Sequence, residues 1–207
     1  EELTIQHSAD ATDEAGSYRT WILKDHTPVP PKHYLTDEFS DASVRFINEN
    51  ADTPFFLFLS YNAPHLPLAA TQNYLNRFPD LSGKRKTYAA MVSAVDDGVG
   101  KTLDALREHG ILDDTLVFFL SDNGGPHLKN ASNNSPLRGG KSDVWEGGYR
   151  VPFAARYPHD IAAGTPYTHP VSSLDIFATI AELANAPVDP DRSLDGVNLL
   201  PYLNGTN

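Results

Sequence analysis

Three stretches of the chain bring apolar residues back at helical spacing, and two others are apolar without a break. After Thr36, a good N-cap, and Asp37 and Glu38, which suit a first turn, Phe39, Ala42, Ser43, Phe46 and Ile47 recur every three or four residues. That spacing predicts a helix from about Asp37 to Asn50. Between Lys84 and His109, one stripe carries Tyr88, Met91, Val92, Val95, Val99, Leu103 and Leu106, and Gly110 stands as a C-terminal stop. "SLDIFATIAELANA" predicts a further helix, begun by Ser172 or Ser173 and closed before Pro187. The unbroken runs "TPFFLFLSY" and "TLVFFLSDNGG" suit central strands buried on both faces, the second reached through a turn at Asp113-Asp114. Strand, helix, strand in that order implies a right-handed crossover into a parallel pair, so the expected fold class is α/β. "VPFAARYP" predicts a third strand. Residues 1–33 are polar and irregular, with Pro28, Pro30 and Pro31 close together, and read as a surface arm with at most a short strand at Tyr18 to Leu23.

Composition narrows the chemistry. At 207 residues with 40% hydrophobic and 10% aromatic residues, the chain can build a real core. It carries 16 Lys and Arg against 27 Asp and Glu, a net charge of -11, which disfavours nucleic acid as a partner. The absence of cysteine excludes disulfides, thiolate metal sites and a cysteine nucleophile within this sequence. No apolar run approaches the roughly 20 residues of a membrane span, and Glu1-Glu2-Leu3 is not a signal peptide.

Three short patterns crowd into "SDNGGPHLKNASNNSPLRGGKSDVWEGG". A phosphate-binding loop ending at Gly140-Lys141-Ser142 would need glycine at position 135, which is Ser135, and no strand precedes it. No Gly-x-Ser-x-Gly elbow occurs in the chain. The ends of the two apolar runs hold more. Ligands in open α/β sheets gather beyond the carboxyl ends of parallel strands, and these runs end in His65 and in Asp122-Asn123. A carboxylate and an amide oxygen suit a hard cation such as calcium or magnesium, provided the chain leaves the strand there, as Gly124-Gly125 permits. Each also has an ordinary reading: an Asp-Asn-Gly turn, a loop histidine bonded to backbone, a solvated Lys141. Glycines on both sides of Lys141 describe a loop built for close approach, which weighs against three independent ordinary readings.

In order and wording, "YLTDEFSDASVRFI", "PFFLFLSYNAPHLPL", "YAAMVSAVDDGVGKTLDALREHGILDDTLVFFLSDNGG", "SPLRGGKSDVWEGGYRVPFAARYP" and "LDIFATIAELA" with "LDGVNLLPYL" resemble type I, arylsulfatase-like sulfatases of the alkaline phosphatase superfamily. The resemblance runs from about Tyr34 to Leu203. It implies an alkaline phosphatase-like sandwich with a largely parallel central sheet flanked by helices, of which residues 34–207 are the C-terminal half of the catalytic domain. It further implies that Asp122 and Asn123 are two ligands of a calcium ion, with magnesium the lesser choice. His65 and Lys141 would contact the sulfate near the leaving oxygen, and His127 would be a candidate substrate contact. For Arg138 a bracing role in the lysine loop is expected, and for Asp96 and Asp97 structural hydrogen bonds. The implied activity is hydrolysis of aryl or carbohydrate sulfates. Asn123 separates this reading from related phosphatases and phosphodiesterases, which tend to carry histidine there. A periplasmic, extracellular or lysosome-like location is the family expectation.

The sequence departs from the family in what it lacks. The formylglycine nucleophile arises from a Cys/Ser-x-Pro-x-Arg motif, and Ser135-Pro136-Leu137-Arg138 has no residue between Ser and Pro. The paired N-terminal aspartates, the Lys-x-His segment and the small C-terminal subdomain are also absent. An internal fragment of a longer sulfatase, inactive by itself, is therefore expected. An inactive sulfated-glycan-binding protein is the competing class.

Overall fold

The N-terminal residues pair into an antiparallel sheet of order β1-β2-β3, with β1 at Leu3–Thr12, β2 at Tyr18–Lys24 and β3 at Thr27–Val29. The strand content exceeds the short strand expected at Tyr18 to Leu23. The cause is a two-residue hairpin at Asp25-His26, both with positive φ (53° and 78°), the backbone that matches strand twist. Asparagine and glycine normally announce such a turn, and neither is present. The computed structural model describes residues 3–12, 18–30, 33–189, 191 and 193–206; parts of the expected arm, at 1–2, 13–17 and 31–32, lie outside them. The chain divides into two units, Glu1–Gly110 with Asp122–Val151, and Ile111–Ser121 with Pro152–Asn207.

In the first unit, α1 spans Leu35–Asn50 and packs on α3, Gly83–Glu108. The helix begins one residue before Thr36, which is buried within it and does not cap; Glu38 instead accepts the His33 backbone N–H at 2.7 Å. Burial on α3 differs from the expected stripe. Ala90, Met91, Ala94, Gly98, Ala105 and Leu106 are buried, while Val92 is 42% exposed. Small residues let the helix axes approach, and α1 meets them with Phe39, Ser40, Ser43 and the fully buried Ile47. At the crossing, a methyl group on Gly98 would stand 2.2 Å from Ser40 Oγ and 2.4 Å from the Tyr61 hydroxyl. Ser43 and Thr102 share a 2.8 Å hydrogen bond beside them. Burial pushes the Tyr61 hydroxyl above its usual pKa.

The short helix α2, Gln72–Leu75, places Tyr74 against Ala90 and Ala94. Its hydroxyl donates to Asp37 (2.7 Å), its ring carries the Arg77 guanidinium at 4.8 Å, and Arg77 bonds Asp97 through both nitrogens. Asp97 thus serves structure, and this hydrogen bond holds its carboxyl below the usual range.

The run Pro54–Tyr61, expected as a central strand, forms none and joins no ladder among the described residues. Phe55, Leu57, Leu59 and Tyr61 turn inward, whereas Phe56 and Phe58 are 65% and 78% exposed. Burial on both faces was expected; it is found on one.

In the second unit, β4 (Val117–Leu120) pairs with β5 (Phe153–Arg156), antiparallel, with Val117 opposite Arg156 and Leu120 opposite Phe153. The third strand is where the sequence places it; the parallel pair expected between "TPFFLFLSY" and "TLVFFL" forms no ladder among the described residues. Arg156 closes the turn before β4 by donating to the Leu112 carbonyl (2.7 Å) and to Asp113. Helices α4 (His127–Asn130) and α5 (Glu146–Tyr149) belong to the first unit, and α6 (Leu174–Leu183) and α7 (Leu200–Leu203) to the second. Buried Asp175 on α6 accepts from the backbone N–H groups of Ser172 and Val197, and Thr179 from that of Leu199, so "LDGVNLL" is held on the helix.

Candidate active site

The chain leaves β4 after Ser121 and enters two loops that lie backbone against backbone. Four glycines make this contact possible. A Cβ on Gly124 would stand 1.7 Å from the Gly147 carbonyl oxygen, and one on Gly147 would stand 2.4 Å from that of Gly139. Cβ atoms on Gly140 and Gly148 would come within 2.5 Å of Gly125 O and 2.3 Å of Asp143 O. The stack is tied by Gly124 N–H to Gly148 O (2.9 Å) and Gly147 N–H to Arg138 O (2.7 Å). These obstacles are backbone atoms that cannot swing aside, so the glycines serve close approach.

On one of these loops, Asp122 and Asn123 bring their side chains together, with the Asn123 amide donating to the Asp122 carboxylate. Adjacent residues of a regular strand point to opposite faces, so this convergence needs the turn out of β4. The strand was expected to end at this pair, and β4 ends at Leu120, just before it. The pair offers a carboxylate and an amide, oxygen donors suited to a hard cation. Among the described residues no group of three or more His, Asp or Glu could hold a metal ion.

On the other loop, Gly140 to Asp143 forms a tight turn. Asp143 N–H donates to Gly140 O, and Gly140 N–H donates to the Asp143 carboxylate, each at 2.9 Å. Ser142 takes φ +74° within it, a left-handed conformation that disfavours a side chain. The turn aims Lys141, half-buried, at a histidine 76 positions earlier: Nζ lies 3.3 Å from His65 Nε2. His65 Nδ1 is 2.7 Å from the Leu66 carbonyl, which can only accept, so Nδ1 carries the proton. In the neutral ring Nε2 therefore presents its lone pair to the lysine. His65 stands between two cis prolyl bonds, at Ala63-Pro64 and Leu66-Pro67.

Of the other candidates, His127 opens α4 with its Nδ1 3.0 Å from the position a Gly140 Cβ would take, beside the lysine loop. Arg138 lies 3.8 Å above the Trp145 ring, within that loop. The structure therefore joins His65 to Lys141 and Asp122 to Asn123, and ties both loops through Gly125, whose carbonyl is 3.5 Å from the Lys141 N–H. Two residues escaped the sequence reading. Asn134 and Asp143 bond loop backbone, and in "KNASNNSP" and "KSDVW" nothing distinguishes them from ordinary polar loop residues.

The Sulfatase family model matches residues 5–186. The chain belongs to the sulfatase family. It is 37% identical over 179 residues to human steryl-sulfatase, which covers 83% of this chain and 30% of that protein. It is 44% identical, with a TM-score of 0.84, to the crystal structure of Ps i-CgsB in complex with k-i-k-neocarrahexaose, over 88% of this chain and 41% of that one. The structure of PsFucS1 sulfatase from Pseudoalteromonas sp. is 28% identical at a TM-score of 0.77, over 90% and 40%. The sulfatase fold here is thus α/β of the alkaline phosphatase-like type, present in part. The chain spans about 30% of the length of the steryl-sulfatases it matches.

Proposed function

We propose that the protein carrying this chain hydrolyses sulfate monoesters to an alcohol and inorganic sulfate, with His65 and Lys141 on the sulfate and Asp122 and Asn123 as two ligands of a calcium ion. The observation that supports this most is the 3.3 Å approach of Lys141 Nζ to His65 Nε2 within a sulfatase-family chain. Breaking the S–O bond leaves its electron pair on the ester oxygen, where a cation and a proton donor lower the barrier. Lys141 supplies the fixed charge. His65, when protonated, keeps Nδ1–H on the Leu66 carbonyl and presents Nε2–H, so the imidazole can donate without changing its anchor. One sulfate oxygen can meet both groups because they stand so close.

The donor set of Asp122 and Asn123 fits a hard ion over a transition metal, and calcium, when bound, would draw charge from the non-bridging sulfate oxygens. The nucleophile expected of the family, a formylglycine, has no matching motif in this sequence: no cysteine is present, and Ser135 adjoins Pro136 directly. The reading therefore concerns the whole protein. His127, beside Gly140, is proposed to face the substrate. A sulfated carbohydrate is the proposed substrate class, supported by the oligosaccharide bound in the 44% identical structure. A periplasmic, extracellular or lysosome-like location belongs to the same proposal.

The test is sulfate release by the intact protein from sulfated carbohydrate, steryl sulfate and aryl sulfate, with and without a calcium chelator. The expected result is turnover of sulfated carbohydrate that chelation removes and added calcium restores, with Asp122→Ala active only at raised calcium. Tight glycan binding without sulfate release would favour an inactive binding protein. Faster cleavage of a phosphate ester would favour a phosphatase.

A further inference from the structure

We infer that Asn134 is a positioning residue for this site, setting the register between the Asp122-Asn123 corner and the lysine loop; the inference rests on the reading proposed above. Its side chain exchanges two hydrogen bonds with Gly125, accepting from the N–H at 3.0 Å and donating to the carbonyl at 2.8 Å. The same amide nitrogen donates to Gly139 O at 3.0 Å. A primary amide has two N–H donors, and both are used here, while the oxygen takes the one backbone donor offered. Rotating the amide by half a turn would set its oxygen against two carbonyls, so the partners admit a single orientation.

The placement of these three partners gives the residue its role. Gly125 lies two positions beyond Asn123, and Gly139 lies two before Lys141. The Gly125 carbonyl that Asn134 holds is also the one approached by the Lys141 N–H at 3.5 Å. One half-buried side chain therefore grips the backbone beside both halves of the site. A Cβ on Gly140 would stand 2.9 Å from Asn134 Nδ2, so the amide fills the space this glycine leaves open. Neither Asn134 nor its partners need touch the sulfate. The effect on chemistry passes through where Lys141 and the Asp122-Asn123 pair are held, and displacements of this kind are costly to a preorganised site.

Two variants separate this from a merely stabilising role. Asn134→Ala deletes all three bonds, whereas Asn134→Asp keeps the acceptor for Gly125 N–H and turns a carboxylate oxygen toward two carbonyls. In the intact protein, hydrogen exchange should speed up together in residues 122–130 and 138–148 for both variants, more for Asp than for Ala, with α1 and α3 unchanged. With the same preparations, kcat should fall by tenfold or more with a smaller change in KM, and calcium needed for half-activity should rise at least tenfold. Unaltered exchange in the two loops overturns the inference, as does exchange raised evenly through α1 and α3. Wild-type kcat and calcium dependence in the Ala variant overturn it too. A wild-type protein that releases no sulfate defeats the functional reading instead, and the exchange pattern still decides whether Asn134 couples the two loops.

Discussion

Gly124 shows how little room the site leaves at the level of one residue. A methyl group there meets a backbone carbonyl at 1.7 Å, which only a shift of the whole 147–148 segment can relieve. Gly124→Ala should therefore lower the thermal midpoint and activity together. Gly100 provides the contrast, because it lies inside α3 with nothing within 4 Å of an added Cβ. Gly100→Ala should stabilise by about 0.5–1 kcal/mol through reduced freedom of the unfolded chain. Scanning calorimetry of the two variants checks both signs, and a Gly124→Ala protein as stable and active as wild type would contradict the close stacking. The paired glycines were legible as a signal of close approach, since no other residue type has that use. Asn134 and Asp143 were not, because a polar loop residue reveals its partner only once the backbone it bonds has been placed. His65 and Lys141 were legible as separate candidates, and their contact across 76 positions is a fact of the fold.

Among elements, helix existence was plain in the sequence and the choice of face was not. Of the expected α3 stripe Met91 and Leu106 are buried, but the rest of the buried face is Ala90, Ala94, Gly98 and Ala105, and Val92 is exposed. Hydropathy rewards size, whereas close packing against Ser40 and Ser43 of α1 requires smallness. The hydrogen bonds from Arg77 that tie the turn after α2 to Asp97 make a pH prediction. With its carboxyl depressed in the folded state, Asp97 contributes stability that is present above its unfolded value, about 3.9, and is lost as pH falls through the lower folded value. Both side chains are partly exposed (45% and 35%), so the contribution is small and screened by salt. Asp97→Asn should be less stable than the parent at pH 6 in urea unfolding at low salt, and the gap should shrink by pH 3. A gap that stays constant across that range would assign the loss to packing and not to charge.

For the whole molecule, α/β class and the sulfatase resemblance were legible because the apolar runs and the Asp-Asn-Gly-Gly and Gly-Gly-Lys loops stand in a distinctive order. Strand pairing was less so. The "TPFFLFLSY" run has the composition of a strand covered on both sides, yet Phe56 and Phe58 are exposed here, and "TLVFFL" pairs with β5 in antiparallel fashion. Pairing joins segments distant in sequence, and the composition of one run does not name its partner. The candidate site is legible in the same partial sense: the sequence offers His65, Lys141, Asp122 and Asn123 as candidates, and their roles on sulfate and calcium are proposals. His65 and Lys141 are proposed to act as a unit on sulfate. This is tested most directly by a double-mutant cycle in the intact protein, reading kcat/KM for sulfate release with His65→Ala, Lys141→Ala and both. Two groups 3.3 Å apart on one oxygen should each cost about 100-fold or more when removed, and removing both should cost far less than the product. Fully multiplicative losses, or either single variant at wild-type activity, would contradict the account.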